Sequence, residues 1–150
     1  MSFFFRHKFL SLFIMACVAY WVLNPWGKFG YARQGIIIFS KVPTLFFDIY
    51  IDENSERTLL EDLGVARNLT GWCEKKIQEL PNDPGARKRL LLVGTGFGES
   101  PQLTLPDTIE HALEQKGFYT KLMPSPDAVK KYNDLKAQKQ TVAILLRILH

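Results

Sequence analysis

Residues 89–100 read RLLLVGTGFGES, an apolar run from Leu90 to Val93 that stops at a turn holding three glycines. A short strand with no polar face is the kind covered on both sides, as inside parallel sheets. Regular punctuation continues downstream of the turn. TLPDTIEHALEQKG reads as a helix, with Thr104 at the cap, Pro106 in the first turn, Ile109, Ala112 and Leu113 as the inner stripe and Gly117 as the stop. FYTKLM is a second strand. Ser125-Pro126 opens a helix whose Val129, Tyr132 and Leu135 share one side while Lys130, Lys131 and Asp134 face water, and Thr141 to Leu149 closes as a third strand. Strand, helix, strand, helix, strand is a compact α/β unit, and right-handed crossovers place both helices over the sheet.

Ligands of open α/β sheets gather at the carboxyl ends of the strands, where this glycine turn lies. Its chemistry is nevertheless sparse. In GTGFGES, Gly98 comes one residue too early for the dinucleotide fingerprint, and several residues intervene before the helix. A phosphate loop needs a Lys-Ser/Thr pair, and a nucleophile elbow needs a glycine after the serine; Ser100 has neither. A triad of Ser100, Asp107 and His111 is arithmetically available, but two members stand four apart on one helix, whereas triads draw on separated elements. No catalytic residue is therefore assigned. The turn reads first as structural, with a small-molecule pocket at Gly94–Gly98, contacted by Thr95, Ser125 and Tyr132, as the alternative.

Upstream of the turn, GIIIFSKVPTLFFDIYIDENSE is rich in β-branched and aromatic residues and reads as strands, Ile36 to Phe39 and Leu45 to Ile51, split by Pro43. A second membrane helix is the rival reading, but Lys41, Pro43 and Asp48 lie inside it, and a charge near mid-bilayer costs about 2.5–3.5 kcal/mol. SERTLLEDLG reads as a short helix capped by Ser55 and stopped by Gly64. LTGWCEKKIQEL is another, with Cys73, Ile77 and Leu80 on one face. PNDPGARKR is a turn-rich connector whose basic cluster, Arg87 to Arg89, reads as solvated loop.

The amino-terminal segment carries an apolar run from Phe9 to Leu23, broken only by Ser11, with Arg6 and Lys8 before it and Tyr20, Trp21 and Trp26 near its far end. Fifteen residues rise about 22 Å as a helix, short of a ~30 Å hydrocarbon core, and counting through Trp26 makes a marginal span. The aromatic cluster favours an uncleaved anchor. A cleaved signal peptide, a lipoprotein-like box around Cys17 and an ordinary buried helix are the competitors. The expected organisation is an anchor or signal segment over 1–26, a linker with strands and a short helix over 27–68, and an α/β domain over 69–150. Basic residues flank both ends of the run, so the membrane side is not fixed.

Charge narrows the partners. The formal net charge is +4, and residues 1–51 hold all of the excess, with five basic residues against Asp48 alone. The remainder is balanced and has no surplus for condensed phosphate, which argues against nucleic acid. Cys17 and Cys73 are too few for a disulfide framework, and His7, His111 and His150 have no metal-ligand spacing. No cofactor or metal is implied.

LLLVGTG, LPDTIEHALEQKGFYTKLM and SPDAVKKYNDLKAQKQTVAILL, taken in order, resemble the Mth938-like (DUF498) family from about Leu69 to Leu149. That family includes a mitochondrial respiratory complex I assembly factor. The resemblance implies a small three-layer α/β domain around a mixed sheet, here preceded by a hydrophobic membrane helix. It implies Gly94, Thr95 and Gly96 at a pocket rim, facing Ser125, Tyr132 and Asn133, and it carries over no catalytic residue. The first half departs from the family pattern. The combined expectation is a membrane-tethered, non-enzymatic protein that touches the bilayer through residues 9–26 and acts through protein contacts, as in assembly of a membrane complex. The protein partner is not identified, and a homo-oligomer is left open.

Overall fold

A strand apolar on both faces needs cover on both sides, and the run after Arg89 obtains it within a five-stranded mixed sheet. The computed structural model describes residues 2–60, 63, 66–80, 89–98 and 104–148, the side chains of residues 2–7, 66 and 67 excepted. In chain order the elements are α1 (Ser2–Leu23), β1 (Phe29–Arg33), β2 (Ile36–Phe39), β3 (Val42–Leu45), β4 (Asp48–Ile51), β5 (Arg57–Leu60), α2 (Ala66–Glu79), β6 (Arg89–Gly94), α3 (Asp107–Gln115), β7 (Phe118–Met123), α4 (Ser125–Ala137) and β8 (Val142–Leu146).

The larger sheet runs β5-β4-β8-β6-β7. At its centre β8 is parallel to β6 and antiparallel to β4, and every one of its residues is buried. Alternation sorts the side chains into two cores. On one face Ile49, Leu92, Ile144 and Leu146 meet Ala128 and Tyr132 of α4 together with Phe29, Ile37 and Phe39 of an antiparallel β1-β2-β3 sheet. On the other, Tyr50, Leu91, Val93 and Leu145 meet Leu69 and Cys73 of α2 and Ile109 and Leu113 of α3. The domain thus has three layers, and it draws β4 and β5 from upstream of residue 69.

Several local expectations change. β2 has the expected bounds, but the strand expected over Leu45 to Ile51 is broken at Phe46, whose φ of 57° turns the chain between β3 and β4. Pro43 lies within β3, an edge strand, where a missing N–H is tolerated. The short helix expected at SERTLLEDLG is instead β5. Asp52 accepts a hydrogen bond from Glu56 N (2.8 Å) and Ser55 N donates to Asp52 O (3.1 Å), so Ser55 forms a hairpin turn at φ 70° rather than a cap. Cross-strand pairing with β4 overrides the local helical pattern there. Gly64, residues 81–88 of the basic connector and Leu149 lie outside the described residues. Pro106 takes the cap position expected of Thr104, and Pro124 precedes Ser125, which is the first residue of α4.

The expected membrane helix and single-pass membrane location are corrected: among the described residues no helix is long and apolar enough to cross a membrane. Phe9 to Leu23 is helical, but its rise of about 22 Å falls short of a ~30 Å hydrocarbon core, and Asn24 to Trp26, needed to complete the span, leave the helix. They join the domain instead. Asn24 is buried and its Nδ2 donates to Tyr20 O (2.8 Å). The Tyr20 hydroxyl donates to Lys41 O, and the Lys41 Nζ lies 3.2 Å from the Trp21 ring centre and 5.4 Å from that of Trp26. The aromatic cluster expected to form an interfacial belt therefore clasps the β2–β3 turn.

Candidate functional site

Three strand ends converge on the glycine turn, and their backbones are stitched together by the residues expected to line a pocket. Thr95 donates to Met123 O from its N (2.9 Å) and its Oγ1 (3.3 Å), closing β6 against the end of β7. Ser125 Oγ accepts from Gly96 N (3.0 Å) and donates to Arg147 O (2.9 Å), while Ser125 N donates to Gly96 O (2.9 Å). Arg147 N completes the knot with Gly94 O (3.1 Å). The approach at Gly94 is close enough to exclude any side chain: an added Cβ would stand 2.5 Å from Leu146 Cδ2 and 2.7 Å from Ser125 Oγ. Gly96, at φ 134°, holds a conformation that side-chain-bearing residues rarely adopt.

Gly94, Thr95, Gly96 and Ser125 are thus brought together, whereas Tyr132 and Asn133 are not among them. Tyr132 is fully buried between Phe29 and Phe39, with ring centres 5.3 and 6.1 Å away. Burial pushes its hydroxyl up to about 12, with nearby Ser55 pulling the other way and Asp52 adding to the rise. That hydroxyl makes no hydrogen bond among the described residues. Asn133 grips both polar groups of one β1 residue, accepting from Phe29 N (2.9 Å) and donating to Phe29 O (2.9 Å). Both residues fasten the small sheet to α4. Of the arithmetical triad, Asp107 opens α3, His111 is exposed with Nδ1 3.5 Å from a Glu114 carboxylate oxygen, and Ser100 is outside the described residues.

Two charged residues not expected at the site, Asp48 and Arg147, lie beside the turn. Register carries Asp48, Arg147 and Thr95 to neighbouring positions on adjacent strands, on the face toward α2 and α3. Asp48 is fully buried, its Oδ2 accepting from Leu63 N and its Oδ1 from Ile148 N, each at 2.6 Å. Arg147 is 8% exposed, and its Nε has no hydrogen-bond partner among the described residues. Among the described residues no group of three or more His, Cys, Asp or Glu is arranged to hold a metal ion.

The most exposed apolar surface lies elsewhere. α1 shows water large side chains on all sides, Phe13 at 66% and Val22 at 73% among them, and Phe46 at 67% and Phe47 stand out beyond β3.

The model of the family described as a protein of unknown function (DUF498/DUF598) matches residues 30–147. The chain belongs to the DUF498 family. The match reaches further upstream than the resemblance at 69–149 and takes in every strand of both sheets but the first residue of β1. No curated protein matches the chain significantly. Solved structures share the fold. An outer membrane protein from Bartonella henselae has 21% identity and a TM-score of 0.60, covering 85% of this chain and 99% of that one. A Mth938-like domain from Bordetella pertussis has 20% identity and a TM-score of 0.58, covering 84% and 86%. A conserved hypothetical protein from Pyrococcus horikoshii has 18% identity and a TM-score of 0.57, covering 82% and 99%.

This DUF498 chain does carry a signal for the overlooked pair. Asp48 in β4 and Arg147 just after β8 are lone charges in otherwise apolar runs, and a charge carried into a sheet interior by such a run must find compensation there. The α1 surface invites a lipid-facing reading because its composition says only that water is unfavourable.

Proposed function

We propose that this DUF498 protein acts through protein–protein contacts rather than as an enzyme, with α1 and the adjoining end of the small sheet as its principal contact surface. The observation that carries the proposal is the helix from Phe9 to Leu23, apolar on every side and exposed along its length. Surfaces of this kind mark interaction sites, and each large side chain taken out of water contributes about 1.5–3 kcal/mol. The glycine turn supports the same view, because Gly96 N, Thr95 Oγ1 and both bonding directions of Ser125 Oγ are engaged within the chain.

A photoreactive residue at position 18 of the full chain, combined with sedimentation over a concentration series, tests this. The expected result is crosslinking to one defined partner, a second protein or a second copy, that is lost in Val22→Glu. Scattered crosslinks indifferent to that substitution would count against the proposal. So would turnover or saturable binding of a small molecule that disappears in a folded Thr95→Ala variant.

A further inference from the structure

We infer that the groove between β5 and α2 is a second docking site, built to take an extended, acidic peptide segment as an added strand. This inference names a partner chemistry for the protein contacts proposed above and rests on that reading, but it uses a surface apart from α1.

The geometry begins with a strand edge: among the described residues β5 pairs with β4 alone. Asp52 N donates to Glu56 O (3.0 Å), which fixes the alternation of the antiparallel ladder: Tyr50 with Thr58 and Asp48 with Leu60 are the hydrogen-bonded pairs. The N–H and C=O groups of Arg57 and Leu59 consequently point away from β4. Both residues are exposed, Leu59 at 49%. Such an edge is a template for an incoming strand.

A cleft of about 390 Å³ runs along this edge with α2 as its opposite wall. Tyr50 and Trp72, with ring centres 4.9 Å apart, give it an apolar floor. Lys75 and Lys76 stand on the α2 side. Lys76 is engaged, with Nζ 5.1 Å from the Tyr50 ring centre and 3.6 Å from Glu79 Oε2. Lys75 is exposed, makes no ion pair among the described residues, and leaves the α2 wall with two cations against one carboxylate. Asp52 and Glu56 at the hairpin end keep an acidic side chain away from that end and toward the lysines. A strand added at Arg57 and Leu59 turns alternate side chains toward α2. The fitting pattern is therefore apolar-x-acidic, the apolar group on the Tyr50–Trp72 floor and the carboxylate at Lys75.

The test uses the full chain and two fluorescein-labelled octapeptides, TVTETVTE and TFTETFTE, with TVTKTVTK and a backbone N-methylated TVTETVTE as comparators. Polarisation should give saturable binding of the acidic peptides and not of the comparators. Amide exchange at Arg57 and Leu59 should slow at least about tenfold on binding, since the strand edge becomes hydrogen-bonded. Lys75→Glu should weaken binding about fivefold or more, as expected for reversing one exposed charge contact. Lys130→Glu on α4 should leave it unchanged. Val22→Glu should also leave it unchanged, which separates failure of this site from failure of the α1 surface. Absence of saturable binding up to millimolar peptide, equal binding of either comparator, indifference to Lys75→Glu, or replacement of the peptide by a short oligonucleotide with the same lysine dependence would each overturn the inference.

Discussion

Replacing Ser125 by alanine removes one oxygen and orphans two buried backbone groups. Gly96 N loses its acceptor at 3.0 Å and Arg147 O loses its donor at 2.9 Å, and Ser125 itself is fully buried, so water does not readily replace the hydroxyl. Leaving a buried donor or acceptor unpaired costs about 1–3 kcal/mol each, which puts the substitution at roughly 2–6 kcal/mol. Alanine at the first residue of α4 returns only a few tenths of that through helix propensity. For a chain of this length the loss corresponds to a fall in melting temperature of roughly 4–24 °C. Urea unfolding followed by circular dichroism measures it, and the slope should stay constant because the surface exposed on unfolding does not change. The companion Gly94→Ala should cost about 1–3 kcal/mol by overpacking against Leu146 and Ser125. Its effect in the Ser125→Ala background should be smaller, because the oxygen 2.7 Å from the new Cβ is gone. A Ser125→Ala loss under about 1 kcal/mol with an unchanged slope would refute the idea that this hydroxyl locks the strand ends together.

Alkaline titration provides another measurement. Burial pushes the Cys73 thiol up to about 12, with Glu74 adding to the rise, so above the ordinary thiol range near 8.5 the unfolded chain releases a proton that the folded chain keeps. Stability should therefore fall with rising pH from about 8.5, by at most about 1.4 kcal/mol per unit for Cys73 alone, and more steeply above about pH 10, where the buried Tyr132 and Tyr50, both raised by burial, each add a proton that the folded chain keeps. In Cys73→Ala the decline below pH 10 should flatten; parallel curves for the two proteins would contradict the assignment. Asn133→Ala should lower stability by about 1–3 kcal/mol and speed amide exchange in β1 while β8 stays protected, and uniform loosening of both strands would contradict a local clasp.

The carboxy-terminal α/β unit was legible because β6, β7, β8, α3 and α4 each carry their own periodicity and punctuation, and the order of the motifs led to the family. The region before it was less so. Arg57 to Leu60 carries a helix-like pattern, and only pairing with β4 makes it a strand. Phe46 breaks the Leu45–Ile51 run through a backbone angle that no local residue preference announces. At the turn, the structure places Gly94, Thr95, Gly96 and Ser125 side by side and packs Tyr132 and Asn133 against β1 instead, while register alone brings Asp48 and Arg147 alongside. Composition could say that Phe9 to Leu23 avoids water; it could not say that Tyr20, Trp21 and Trp26 turn back onto Lys41.

The position of β8 has a consequence for biogenesis. The strand that bridges the Asp48–Leu60 hairpin to the parallel β6–β7 pair follows all the strands it joins in chain order, and its pairing of Ile49 with Leu146 joins residues nearly a hundred apart. Until residues 142–146 emerge from the ribosome, the two halves of the sheet have no common strand and both cores stay open. Until then the nascent chain carries an apolar helix and two unjoined half-sheets, the kind of species that holding chaperones engage.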